Sequence, residues 1–123
     1  MQDRFSRGYF NFPSKHEGAS HWLLQRLSGA VLVFLSLWFL KNLFMHISAD
    51  YVVAFQWISD PLNAGLMAIF LLFLLYHSYL GMEVVADDYV HMAFWHSAAM
   101  FLLKSTMLLA MASVVISFYW ILF

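Results

Sequence analysis

PLNAGLMAIFLLFLLYHSYLGM, residues 61–82, is a run of 22 residues without one charged side chain, bounded by Asp60 and Glu83. About 20 apolar residues are enough to cross the hydrocarbon core of a bilayer as a helix. A spanning segment must satisfy its own backbone hydrogen bonds, which a helix does and a lone strand does not. The stretch therefore predicts a transmembrane helix. Ser59, Asp60 and Pro61 predict its start, with proline in the first turn. Glu83, Asp87 and Asp88 predict its exit into water.

Two more such stretches flank it. One covers residues 22–49, with Arg26 near its start and Lys41 near its end; the other covers residues 93–123 and is interrupted by Lys104. The composition agrees, since 63% of residues are hydrophobic, 20% aromatic and only 11% charged. Soluble domains carry roughly 25% charged residues, and a chain of this length buries too little of its surface to hide so much apolar area from water. The fold class expected is an all-α membrane protein with three transmembrane helices, spanning about 22–49, 61–83 and 93–122. A polar arm over residues 1–20 is expected to precede the three-helix unit of residues 21–123, because Gly8, Pro13 and Gly18 argue against one continuous helix there. Trp22, Trp57, Trp95 and Trp120 fall near span ends, where interfacial aromatics concentrate.

Charge excludes some functions and orients the chain. The net charge of −1, with no basic run and no acidic tail, gives nucleic acid nothing to bind. The absence of cysteine excludes disulfides, thiolate zinc sites and all-cysteine iron–sulfur ligation in this chain. Arg4, Arg7, Lys15 and Arg26 lie before or at the first span, and the expected loop at 42–60 holds no lysine or arginine. The positive-inside rule then places the N-terminus inside. The expected loop at 83–91 is inside as well, so Arg26 and Asp87-Asp88-Tyr89 share one membrane face.

Ionisable groups inside a span are costly and mark functional sites by default. His77 is the clearest. It reads either as a histidine bonded to a neighbouring helix or as a cofactor ligand. Gly81, one turn on, leaves room on the same face for a flat group or for a helix. Asp88 and Tyr89 follow about 18 Å further along the axis if the helix continues. Read by themselves they are a solvated acid and an interfacial tyrosine, although a phenolic donor beside a carboxylate also suits a group that takes up protons. Arg26 either snorkels to the interface or pairs with an anion such as Asp88 or a haem propionate. His21, Gln25 and Ser28 share a helical face beside it and form a candidate polar cluster. Lys41 reads as a snorkelling residue at the outer edge. Lys104 lies about 16 Å into the third helix if that helix begins at Ala93, facing either the interface or a partner subunit.

In combination these residues carry a resemblance. The segment His77-Ser-Tyr-Leu-Gly81-Met-Glu-Val-Val-Ala-Asp87-Asp88-Tyr89 resembles the small membrane-anchor subunit of succinate dehydrogenase, respiratory complex II, in which a histidine is followed eleven and twelve residues later by Asp-Tyr. The segment Gly18-Ala-Ser-His21-Trp-Leu-Leu-Gln25-Arg26-Leu-Ser-Gly29 is similar to that family's entry into its first helix. The resemblance covers residues 18–91. It implies that His77 is an axial ligand of haem b, with the second axial histidine on a companion membrane subunit in a heterodimeric haem-binding helical bundle. It implies that Tyr89, with Asp88 as network partner, binds the ubiquinone headgroup, and that Arg26 serves the haem propionate or the quinone site. Catalysis needs more than this chain: a flavoprotein subunit and an iron–sulfur subunit would dock on its inner face. The location implied is the bacterial inner (cytoplasmic) membrane, with the mitochondrial inner membrane as the alternative. A quinol:fumarate reductase anchor and a haem-free structural or assembly protein are the competing readings.

Overall fold

The computed structural model describes residues 15–123, and all regular structure among them is helical. Four helices follow one another: α1 (Lys15–His46), α2 (Tyr51–Ser59), α3 (Pro61–Tyr89) and α4 (Ala93–Leu122). Three of them, α1, α3 and α4, are long and apolar enough to cross a membrane. At 29 to 32 residues and about 1.5 Å per residue, each exceeds the ~30 Å hydrocarbon core. Their ends therefore reach into or past the headgroups.

Three boundaries differ from the sequence expectation. Residues 15–20, expected in the polar arm, already belong to α1, and Gly18 sits inside that helix. A lone glycine costs only about 1 kcal/mol in a helix, which the long apolar continuation outweighs. Arg4 and Arg7 lie outside the described residues, as do the side chains of Lys15 and His16. The segment expected as a loop at 42–60 contains the last turn of α1 and the short helix α2. The loop expected at 83–91 is mostly helix: α3 continues through Glu83, Asp87 and Asp88 to Tyr89, leaving only residues 90–92 as the connection. Acidic residues mark departure from lipid, but nothing in their chemistry unwinds a helix.

The start of α3 is fixed by its cap. The Asp60 carboxylate accepts from the backbone N–H groups of Leu62 and Asn63, both at 3.1 Å, and Pro61 occupies the first turn. The Asn63 side-chain amide donates to the Trp57 carbonyl at 3.1 Å and so ties the end of α2 to α3. Trp57 in turn lies against Trp38 and His46 of α1, with ring centroids 6.1 and 5.0 Å apart.

The middle helix organises the rest. α3 packs along α1 on one side and α4 on the other, while α1 and α4 scarcely meet. Pairs run antiparallel along α1 and α3: Phe39 stacks on Phe70 at 5.2 Å, Ser28 meets His77, and His21 meets Glu83. The start of α1, the end of α3 and the start of α4 therefore share one end of the bundle, as three successive spans predict. Leu32, Ala64, Met67, Phe70 and Phe118 form a small core towards the other end. Most remaining apolar side chains face outwards, and the most apolar stretch of α4 buries none of its residues within the chain.

Candidate functional site

Two faces of α1 separate the polar residues that sequence grouped together. Gln25 and Ser28 turn towards α3, as does His21. Arg26 instead lies exposed, its guanidinium 4.5 Å above the Trp22 ring, a cation–π geometry, and it makes no ion pair among the described residues. The alternative in which Arg26 pairs with Asp88 inside this chain is thus not what the fold forms.

His77 is half-buried between α3 and α1. Its Nδ1 lies 3.0 Å from Ser28 Oγ, and that hydroxyl also donates to the Gln25 carbonyl at 3.0 Å. Ser28, at 3% exposure, is the one polar side chain that the described residues bury. Gly29 explains how the ring comes so close: a Cβ there would stand 3.2 Å from His77 Cε1. Gly29 lies within a motif of the sequence that gives it no evident task; only the register between the helices reveals one. Gly81 faces Gln25 of α1, and a Cβ at that position would meet its amide nitrogen at an ordinary 3.7 Å.

His77 Nε2 has no hydrogen-bond partner among the described residues, and no buried side-chain nitrogen or oxygen among them lacks one. That nitrogen therefore keeps access to the chain's outer surface. No three histidine, aspartate or glutamate side chains gather closely enough among the described residues to hold a metal ion by themselves. A haem iron would ask for less, because a single histidine of this chain would be enough to hold it from one side. An imidazole fixed at one nitrogen, with the other unpartnered among the described residues, fits that demand.

One turn and a half further along α3, Glu83 bridges two partners. Its carboxylate lies 3.1 Å from His21 Nε2 on α1 and accepts from the Tyr79 hydroxyl at 3.4 Å. Neither pairing was legible in the sequence. At the corner between α3 and α4, Asp87 Oδ1 lies 2.7 Å from His96 Nε2. Asp88 and Tyr89 are the last helical residues and take no part in these contacts. Asp88 is exposed, and Tyr89 is 78% exposed. Eleven residues make three turns plus roughly 20°, so Asp88 shares the His77 face of α3, whereas Tyr89 is rotated off it. His77 and the Asp88-Tyr89 pair thus lie on one helix but about 18 Å apart, too far to act on one small group. Lys104 is exposed on α4 and His91 on the α3–α4 connection.

The chain matches the family model described as succinate dehydrogenase/fumarate reductase transmembrane subunit over residues 10–119. It is similar to a succinate dehydrogenase hydrophobic membrane anchor subunit of Rickettsia typhi, 30% identical over 107 residues, which are 87% of this chain and 86% of the relative. The corresponding subunit of Rickettsia prowazekii is 30% identical over 84% of this chain and 82% of its own length. That of Rickettsia bellii is 36% identical over 65% and 64%. No solved structure matches the chain.

Proposed function

This chain belongs to the succinate dehydrogenase/fumarate reductase transmembrane-subunit family, with hydrophobic membrane anchor subunits of succinate dehydrogenase among its relatives, and from that premise we propose three tasks for it. It anchors a succinate:quinone oxidoreductase in the membrane by docking the flavoprotein and iron–sulfur subunits. It supplies His77 to a haem b shared with a second membrane subunit. It lends Tyr89 and Asp88 to one wall of a ubiquinone-reduction site, with Arg26 serving the haem propionate or the quinone site.

The observation that carries the haem assignment is the state of His77: Nδ1 is held by Ser28, while Nε2 has no partner among the described residues and is not fully buried. A haem bound there would supply a one-electron store within the same membrane unit as the quinone site. Arg26, without an ion pair among the described residues, stands at the same end of α1, free to meet an anionic propionate or headgroup. On this reading the Tyr89 hydroxyl would donate a hydrogen bond to a headgroup carbonyl oxygen, with the Asp88 carboxylate serving the same polar network. Quinone reduction to quinol takes up two electrons and two protons. A site in the last turn of α3, at the water-facing end, keeps that proton supply short. This end, which carries Arg26, is the cytoplasmic one on the positive-inside argument.

The test is a reduced-minus-oxidised visible spectrum of the purified complex, wild type against His77→Ala, with assembly verified for both. A b-type band in the wild type that the assembled variant loses or visibly alters supports the ligand assignment. An unchanged band in the variant removes His77 as ligand. An active wild-type complex without the band leaves a haem-free anchor whose remaining tasks are docking and quinone binding.

A further inference from the structure

A serine hydroxyl has one hydrogen to give and lone pairs with which to accept. Ser28 Oγ makes two contacts, each at 3.0 Å, one to the Gln25 carbonyl oxygen and one to His77 Nδ1. The carbonyl oxygen can only accept, so that contact is attractive only if the serine hydrogen lies in it. With its hydrogen committed to Gln25, Ser28 meets His77 as an acceptor. Nδ1 of His77 must then carry the ring hydrogen, and Nε2 is left with its lone pair. The same nitrogen has no partner among the described residues and is not fully buried. The arrangement is walled in: Ser28 is 3% exposed, and Gly29 lets the ring lie within contact distance of the α1 backbone.

We propose that Ser28 is a positioning residue for His77, using its Gln25-anchored hydroxyl to fix the imidazole as the Nδ1–H tautomer and to aim Nε2 at the haem iron. This rests on the haem reading of His77 given above. Metal-bound histidines commonly donate their second ring hydrogen to a fixed acceptor, which sets ring orientation and strengthens donation to the metal. Stronger donation favours the ferric over the ferrous state, so the Ser28 acceptor holds the haem potential down.

The experiment uses the intact complex with Ser28→Ala, Ser28→Val and Ser28→Thr, and reads haem content and the midpoint potential of the haem band. Valine and threonine match in size and branching, so their difference isolates the hydroxyl. Ser28→Thr is expected to keep the wild-type midpoint and haem content. Ser28→Ala and Ser28→Val are expected to shift the midpoint upwards, by about 59 mV for each tenfold loss of ferric over ferrous preference, and to weaken haem retention about 10- to 100-fold. Gly29→Ala, which crowds the ring while keeping the serine, is expected to shift the midpoint in the same direction and covers the case in which the apolar variants do not assemble. One midpoint shared by all four variants and the wild type overturns the proposal, as does a Ser28→Thr shift as large as that of Ser28→Val. These outcomes are separate from failure of the haem reading, which is a wild type without the band or an assembled His77→Ala complex that keeps it.

Discussion

Adding one methyl group to Gly29 tests the contact on which the His77 geometry depends. The new carbon would stand 3.2 Å from His77 Cε1 and 3.8 Å from Nδ1. Carbon atoms rest comfortably about 3.5–4.0 Å apart, so the ring must retreat from α1 by a few tenths of an ångström. The same movement stretches the 3.0 Å bond to Ser28 towards about 3.3–3.5 Å, the edge of useful hydrogen-bond geometry. Overpacking of this kind costs about 1–3 kcal/mol, while alanine is about 0.8–1 kcal/mol better than glycine inside a helix. The net expectation for Gly29→Ala is a loss of about 0–2 kcal/mol together with an altered haem spectrum. Gly65 is the control, because a Cβ there meets nothing within 4 Å, and Gly65→Ala is expected to gain up to about 1 kcal/mol. Thermal inactivation of the detergent-solubilised complex, followed beside its visible spectrum, measures both. If Gly29→Ala is as stable as Gly65→Ala and keeps the wild-type spectrum, the ring does not lie against α1, and α1 and α3 do not pack in this register.

Tyr89→Phe is expected to lower succinate–quinone reductase activity at least tenfold while electron transfer from succinate to a water-soluble acceptor stays within twofold; equal loss of both would point to a docking defect instead. Asp60→Ala removes the acceptor for two N–H groups at the start of α3 and is expected to cost about 1 kcal/mol, read by thermal or denaturant unfolding in detergent. A double-mutant cycle of His21→Ala and Glu83→Ala is expected to give a coupling of about 0.2–1 kcal/mol that shrinks with added salt, because both side chains keep partial exposure; a coupling of zero would mean that the pair does not fasten α1 to α3.

The three spans were legible because the bilayer imposes a length and a composition, and both are written locally in the chain. Local signals also placed Asp60 and Pro61 at a helix start. The helix ends were less legible. Glu83, Asp87 and Asp88 announce water, yet the backbone hydrogen bonds of α3 continue to Tyr89, because polarity and helicity are separate properties. The short helix α2 escaped notice because nine residues between two spans read as well for loop as for helix. Among candidate site residues, His77 stood out by type as an ionisable group in a span, Asp88 and Tyr89 only through the family resemblance, and Ser28 was already grouped with Gln25 and His21. What no spacing within one helix reveals is the register between two helices. The meeting of Ser28 with His77, the closeness of Gly29 to the ring and the His21–Glu83 pair all depend on that register. Arg26 fails to join its neighbours for the complementary reason: one residue further along α1 is about 100° of rotation, enough to send it outwards.

The position of α3 explains why it carries so much of the candidate site. It touches both other spans, whereas α1 and α4 barely meet, so each flank of α3 is supported while its remaining surface stays open. His77 is held on the α1 side through Ser28, and its Nε2 has no partner among the described residues. A polar atom left open in hydrocarbon is costly, and so is the exposed Arg26 if nothing anionic meets it. Asp88 and Tyr89 raise no such cost in the last turn, where water reaches them, but Tyr89 at 78% exposure has no wall against which to fix a ligand. A second membrane subunit laid along the open side of α3 answers these needs together. On the proposed reading it would cover the exposed surface beside His77, supply the second haem ligand, and form a wall beside Tyr89. Haem and quinone would then lie apart along one helix, since about 18 Å separates His77 from the Asp88-Tyr89 pair.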